Sequence, residues 1–245
     1  MPRIFIPQSD IKGDRVTLPE AEAKRLSRVL RMRPGDPVTL FDGSREYHTH
    51  IVELTAKAAV LAVVGVSDML TSPALDITIG QGVPKGEKLE WALQKAVELG
   101  VSSFVPVLME RSVKRPDIKG IEKSLTRLRR IATEAAGQSG RVRVPDVPCY
   151  MDLPMFIEAA RGAALKVVLY EGEKTRGLRE LLHSAVGVDS VAVLVGPEGG
   201  LTVDEVLEAE AGGFVPVGLG PRILRTETAG LAALAIIQYE LGDIG

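Results

Sequence analysis

The chain has 245 residues, 45% of them apolar, and a formal net charge of −2. That is enough apolar material for one large domain or two unequal ones, and the near-neutral charge argues neither for nor against a nucleic-acid partner. A lone cysteine, Cys149, excludes an internal disulfide and a cysteine zinc cluster.

The opening residues, MPRIFIPQSD, lack the pattern of a secretory signal. The longest apolar runs, near Val191–Val195 and Leu231–Ile237, fall far short of the roughly 20 residues a membrane helix needs. The expectation is a soluble, cytoplasmic protein with no membrane partner. Charge is uneven along the chain. Residues 111–143 hold ten Lys/Arg against three Asp/Glu, a local charge of +7, whereas residues 144–245 hold seven against fifteen, a local charge of −8. A polyanion, if bound, is expected along the basic middle.

Residues 1–66 read as a small, mostly β unit. RIFI is a short strand. TLPEAEAKRLSRVLR reads as a helix in which Thr17 and Glu20 form a capping box and Leu26, Val29 and Leu30 an apolar stripe. After the RPGD turn, PVTLFDG, EYHTHIVEL and AAVLAVVGV read as strands of a small barrel or curled sheet. His48 and His50 share one side of a strand, with no third metal ligand in view, and are expected at the surface. Residues 67–75, SDMLTSPAL, read as a linker.

Beyond it, apolar strands (ITIGQG, SFVPVLM, KVVLYEG, VAVLVGP and FVPVGLG) alternate with helical stretches, the pattern of a parallel sheet covered on both faces. In KGEKLEWALQKAVELG, Leu89, Leu93, Ala96 and Val97 face inward, while Lys85, Lys88 and Lys95 share another face around Trp91 and Ala92. In IEKSLTRLRRIATEAAGQSGRVRVP, Ile121, Leu125, Leu128 and Ala132 form the packed stripe. Lys123, Arg127 and Arg130 form a basic one, which runs into a loop holding Gln138, Ser139, Arg141 and Arg143. Arginine and amide side chains on a loop suit phosphate and base contacts.

Ligands of such sheets bind at the carboxyl ends of the strands, which singles out YEGE, GPEGG and LGPRILRTETA. The glycines of GPEGG permit close backbone approach. No Lys follows them, so this is not a phosphate-binding P-loop, and G-x-G-x-x-G is absent. With Glu198 in the loop, a neutral or cationic ligand held by backbone groups fits better than a triphosphate. Thr202 and Glu205 form a second capping box. In LGPRILRTETA, Thr226 or Thr228 is expected to cap the buried helix AGLAALAIIQYEL, but capping does not account for the neighbouring Arg222 and Arg225.

Taken together, KGEKLEWALQKAVELG, EAAGQSGR, LVGPEGGLT and LGPRILRTETA, with RVLRMRPGD upstream, resemble the 16S ribosomal RNA uracil-N3-methyltransferase family, RsmE, of the SPOUT superfamily. The resemblance spans nearly the whole chain. It implies a PUA-like RNA-binding β-barrel over residues 1–70. Over residues 71–245 it implies an α/β SPOUT domain with a parallel sheet and a C-terminal trefoil knot. It further implies S-adenosylmethionine as cofactor, 16S rRNA of the small ribosomal subunit as substrate, a homodimer and no metal. By the same resemblance the cofactor pocket is lined by Leu169 and Glu171, by Val195, Gly196, Pro197 and Gly200, and by Leu219, Gly220, Ile223, Leu224, Thr226, Thr228 and Ala229. Arg225 is the candidate cation for a uracil anion, and Glu227 the candidate proton acceptor. RNA contacts are expected from Arg28, Arg31 and Arg33, and from Lys85, Lys88, Arg111, Gln138, Ser139, Arg141 and Arg143. Two other readings stay open at this point: another SPOUT RNA methyltransferase, acting on a ribose 2′-hydroxyl or a different base, and a non-catalytic RNA-binding or ribosome-assembly factor.

Overall fold

The computed structural model of the chain describes residues 1–11, 13–68, 75–112 and 117–245. The chain divides into two compact units, Met1–Ser72 with Ala136–Val144, and Pro73–Ala135 with Pro145–Gly245. Most of the expected linker, residues 69–74, lies outside the described residues. Its first two residues, Ser67 and Asp68, belong to a strand, and its last, Leu75, is buried.

The first unit contains β1 (Arg3–Phe5), β2 (Arg15–Leu18), α1 (Glu20–Lys24), β3 (Pro37–Phe41), β4 (Arg45–Leu54) and β5 (Ala59–Asp68). They form one five-stranded sheet in the order β1-β3-β4-β5-β2, in which β1 and β3 are parallel and the other pairs antiparallel. Asp42 shapes the β3–β4 hairpin, accepting from the Ser44 and Arg45 N–H groups at 2.8 Å each and from the Tyr47 hydroxyl at 2.8 Å. Burial pushes the Asp42 carboxyl up, but these bonds outweigh it and hold it below the usual carboxylate range.

The expected Thr17–Glu20 capping box does not form. Thr17 lies in β2, paired with Val60, and Pro19 takes the N-cap place of α1 with no side-chain cap. Thr17 and Leu18, at the start of the expected helix, are the second half of an alternating half-buried strand, RVTL. The expected stripe is also broken. Residues Arg25–Val29 wind as a π-turn, which advances fewer degrees per residue than an α-helix, so only Leu26 is buried while Val29 and Leu30 are exposed. Arg31 follows with φ +55°, a left-handed conformation that costs a non-glycine residue about 1–2 kcal/mol.

The second unit is built on a six-stranded sheet whose pairings are all parallel. Its strands are β6 (Asp76–Gly82), β7 (Ser103–Leu108), β8 (Met151–Asp152), β9 (Leu165–Leu169), β10 (Ser190–Val195) and β11 (Val215–Val217), in the order β11-β9-β10-β6-β7-β8. The chain runs outward from β6 to β8, crosses to β9, and then inserts β10 between β9 and β6. Alternate residues divide the faces. Ala192 and Leu194 join a core with Leu153 and Phe156 of α4 (Leu153–Ala159) and Val206 and Ala209 of α6 (Val203–Ala211). On the other face α7 (Thr226–Leu241) packs on β6 and β10 and against α2 (Lys88–Glu98) and α5 (Leu178–Ser184). The two-residue β8 escapes any periodicity argument.

Ala92 of α2 is buried beside Leu89, Leu93, Ala96 and Val97, so it belongs to the inner face and not to the lysine face. The long α3 (Ile118–Ser139) buries Leu125, Leu128 and Ala132 as the spacing requires, while Ile121, in its first turn, is only partly buried. It continues through Gln138 and Ser139, which occupy its last turn instead of a loop, and the chain turns at Gly140 with φ +81°. α7 buries only one face: Ala233, Leu234 and Ile237 are inside, but Ile236 and Tyr239 are exposed.

Packing is close where β6 passes α4. A Cβ on Gly80 would sit 2.4 Å from the Phe156 ring, and Phe156 is fully buried. Gly80→Ala is therefore expected to destabilise the chain by about 1–3 kcal/mol through overpacking, read as a lower urea midpoint at unchanged slope. A midpoint equal to wild type would contradict this packing.

Candidate functional site

The carboxyl ends of the adjacent strands β10, β9 and β11 open into a cleft of about 360 Å³. Three loops wall it: Tyr170–Lys174 after β9, Gly196–Leu201 after β10, and Gly218–Arg225 after β11, with the first turn of α7 closing one side. Each loop is held by bonds that its own sequence supplies or receives from a neighbour.

After β9, the Tyr170 N–H donates to the Val217 carbonyl at 3.0 Å. Glu173 then folds the loop back, accepting from the Thr175 hydroxyl at 2.7 Å and the Thr175 and Arg176 N–H groups at 2.6 and 3.0 Å. The Thr175 hydroxyl, followed by these two N–H groups, pulls the Glu173 carboxyl down to about 2. The Gly218 N–H donates to the Arg176 carbonyl at 2.9 Å, and a Cβ on Gly218 would lie 2.7 Å from the Glu173 carbonyl oxygen. Only glycine lets these two loops touch.

After β10, the Thr202–Glu205 capping box is present as the sequence predicts. Glu205 does more than cap: one carboxylate oxygen accepts from the Thr202 N–H at 2.9 Å and the other from the Glu110 N–H beyond β7 at 2.8 Å. Arg111 donates to the Gly199 carbonyl at 2.9 Å. The Glu198 carboxylate accepts from the Lys85 N–H at 2.9 Å and the Lys88 ammonium at 2.8 Å, and Lys88 also lies 3.6 Å from Glu227. Burial raises the Glu198 carboxyl, but its bonds to Lys88 and Lys85 prevail and hold it low, while the bond to Glu198 raises Lys88. Gly200 adopts φ +71° where a Cβ would meet Glu171 at 2.9 Å.

Neither Thr226 nor Thr228 caps α7. Arg225 takes the N-cap place without a side-chain bond. The Thr226 hydroxyl donates instead to the Gly196 carbonyl at 2.5 Å and accepts from Gln81 Nε2 at 2.8 Å. Among the described residues no group of three or more His, Cys, Asp or Glu is arranged to hold a metal, and no helix is long and apolar enough to cross a membrane.

Residues 71–238 match a family model described as an RNA methyltransferase domain. The ribosomal RNA small subunit methyltransferase E of Bacillus subtilis (strain 168) is 35% identical over 228 residues, covering 89% of this chain and 88% of its own. The chain belongs to the ribosomal RNA small subunit methyltransferase E family. A crystal structure of that methyltransferase from Neisseria gonorrhoeae, bound to S-adenosyl methionine, superposes with a TM-score of 0.86 at 34% identity, covering 100% of both chains. A Legionella pneumophila protein solved with the bound cofactor SAM superposes with a TM-score of 0.92 at 31% identity, covering 100% of this chain and 99% of that one.

Within this family member, the residues singled out from sequence fall as follows. Leu169, Glu171, Val195, Gly196, Pro197 and Gly200 line the cleft, as do Leu219, Gly220, Ile223, Leu224, Thr226 and Ala229. Thr228 is exposed and lies outside the lining. Arg225 lines the cleft and is exposed; Glu227 lies outside the lining, with Oε2 buried and unpartnered. Arg28, Arg31, Arg33 and Arg143 are exposed, and Gln138, Ser139, Arg141 and Arg143 group with the first unit. His48 is exposed and bonds Ser67 at 2.9 Å, and Trp91 is half-exposed. Sequence reasoning missed Gln81. Its one signal is an amide near the end of the mostly apolar strand ITIGQG.

Glu173 provides a pH test. Its folded carboxyl titrates near 2 against an ordinary 4.5, so the loop gains stability that is complete above 4.5 and is lost as pH falls through about 2. Hydrogen exchange at the Thr175 and Arg176 amides should accelerate, relative to Glu173→Gln, only across that window. Equal protection in the two proteins above pH 4.5 would exclude the bond.

Proposed function

We propose that this chain methylates N3 of a specific uridine in 16S rRNA of the small ribosomal subunit, with S-adenosylmethionine as the methyl donor. The observation that carries the reading is the cleft of about 360 Å³ where the loops after β9, β10 and β11 meet, in a chain of the methyltransferase E family. Its lining fits the donor's chemistry. Glycine backbone is available to an adenine edge, Glu171 and Glu173 stand at the wall beside Lys88, Lys174, Arg222 and Arg225, and no phosphate-binding lysine follows the glycines. S-adenosylmethionine, when bound, supplies a methyl group on a positively charged sulfur. Leu169, Glu171, Val195, Gly196, Pro197 and Gly200 would hold it from one side, and Leu219, Gly220, Ile223, Leu224, Thr226 and Ala229 from the other. Thr228 does not suit this role, because it is exposed and away from the lining.

Uracil N3 carries a proton and becomes a good nucleophile when that proton leaves. Arg225, exposed at the cleft, would steady the charge that develops on the flanking carbonyl oxygens. Glu227 would accept the proton. Its Oε2 has no hydrogen-bond partner, and the Lys88 ammonium lies 3.6 Å from Oε1. N3 lies on the Watson–Crick edge, so the uridine must be unpaired or flipped out to be reached.

The first unit would be the PUA-like RNA platform, with Arg28, Arg31 and Arg33 together with Gln138, Ser139, Arg141 and Arg143. In the second unit the candidates are Lys85, Lys88 and Arg111. The Lys88 and Arg111 side chains already bond Glu198 and the Gly199 carbonyl, and the Lys85 side chain is the one most open to phosphate. A homodimer would form through the packed pair α2 and α7, where Trp91, Ile236 and Tyr239 are exposed. A trefoil knot in the C-terminal segment, and action in the cytoplasm, complete the reading.

Incubation with labelled cofactor of small subunits from a strain lacking the enzyme, followed by mapping, is expected to place the label on uracil N3. Label on a ribose 2′-hydroxyl, or none, would overturn the reading. Glu227→Gln is expected to slow methyl transfer by about 10²–10⁴-fold at unchanged cofactor affinity. Replacing Arg28 and Arg31 together with Ala should weaken RNA binding and flatten its dependence on salt. An unchanged salt slope would remove the first unit from the docking surface.

A further inference from the structure

Gln81 is the last residue but one of β6, opposite Val195 in β10, and is 1% exposed. A primary amide buried among apolar strands is costly unless its donors are used. Both are: Nε2 donates to the Gly82 carbonyl at 3.2 Å and to the Thr226 hydroxyl at 2.8 Å.

The direction of these bonds follows from the chemistry of the partners. A backbone carbonyl only accepts, so the amide atom facing Gly82 is nitrogen. Thr226 must then accept from that nitrogen, which leaves its single proton for the Gly196 carbonyl, again an acceptor only, at 2.5 Å. Donation runs one way, from Gln81 through Thr226 to Gly196. Pro197 has no N–H, so the carbonyl is the only polar group of the Gly196–Pro197 peptide, and this relay aims it.

The surroundings leave no slack. A Cβ on Gly82 would lie 2.5 Å from the Pro197 nitrogen, and one on Gly230 of α7 would lie 3.2 Å from Gln81 Oε1 and 3.3 Å from Val195. Strand β6, the loop after β10 and the first turn of α7 are thus pressed together around one hydroxyl. Gln81 itself does not line the cleft, whereas Gly196, Pro197 and Thr226 do.

We infer that Gln81 is a positioning residue for the methyl donor: by fixing the Thr226 proton on the Gly196 carbonyl, it sets the shape of the cleft wall. The inference rests on the reading of the cleft as the S-adenosylmethionine site. It also means that the Thr226 hydroxyl has no proton to offer a ligand.

The test is calorimetric titration of the full-length chain with S-adenosylmethionine, beside methylation kinetics. Gln81→Met keeps the volume and removes both donors. It is expected to weaken cofactor binding about tenfold, the worth of one or two net hydrogen bonds. The cofactor KM should rise while kcat and the RNA KM stay within about twofold of wild type, a split that general destabilisation does not produce. Gln81→Glu should do at least as much harm, because a carboxylate takes the Thr226 proton and leaves Gly196 without a donor. Should Gln81→Met fail to fold, the pair T226V and T226S decides: serine, which retains the hydroxyl, must recover most of the affinity that valine loses. Affinity within twofold of wild type in Q81M, or equal losses in T226V and T226S, overturns the inference. A wild-type chain that takes up no S-adenosylmethionine overturns instead the reading of the cleft on which it rests.

Discussion

A single hydroxyl, that of Thr226, holds three parts of the second unit in register. It is bonded to Gln81 at the end of β6 and to Gly196 after β10, and it stands on the first turn of α7. A hydrogen bond contributes only about 0.5–1.5 kcal/mol net, but a buried donor or acceptor left without a partner costs about 1–3 kcal/mol. The relay is therefore held mainly by the penalty for breaking it. Whatever α7 presents next, Arg225 before the tie and Glu227 after it, inherits its place from that hydroxyl.

Around this tie the cleft is assembled largely by carboxylates that grip backbone. Glu205 bonds the Thr202 and Glu110 N–H groups, Glu173 those of Thr175 and Arg176, and Glu198 that of Lys85. Charge-assisted bonds of this kind are shorter and stronger than neutral ones. They stiffen loops that lie at the surface, where apolar burial cannot. Of these carboxylates, Glu173 and Glu198 stand among Lys88, Lys174, Arg222 and Arg225, so the wall carries both signs of charge. The excess of acid in residues 144–245 serves here as mortar between loops.

Sequence periodicity was informative wherever burial was continuous. The apolar strands of the second unit, the inner face of α2 and most of the packed stripe of α3 follow their spacing, because an enclosed residue must be apolar unless, like Gln81, it finds polar partners. The readings that failed did so where a distant contact or a local change of winding overrode the motif. Thr17 has the spacing of a capping box, yet pairing with Val60 draws it into a strand. Leu26, Val29 and Leu30 have the spacing of a helix face, yet a π-turn rotates the last two outward. Thr226 has the composition of a helix cap, yet its hydroxyl oxygen accepts from the Gln81 amide instead of a backbone N–H of α7.

By itself the sequence determined the parallel sheet, the loops at its carboxyl edge and the glycines that let those loops meet, since these depend on residue type and short-range order. Its motifs also carried the family. Only the tertiary structure decided which loops touch, that Gln81 serves the cleft from outside it, and that Lys88 and Arg111 are spent on Glu198 and Gly199. The physical reason is sequence distance. Gln81 and Thr226 are 145 residues apart. No local pattern encodes a bond across that span, which exists because the sheet brings the ends of β6 and β10 side by side beneath α7.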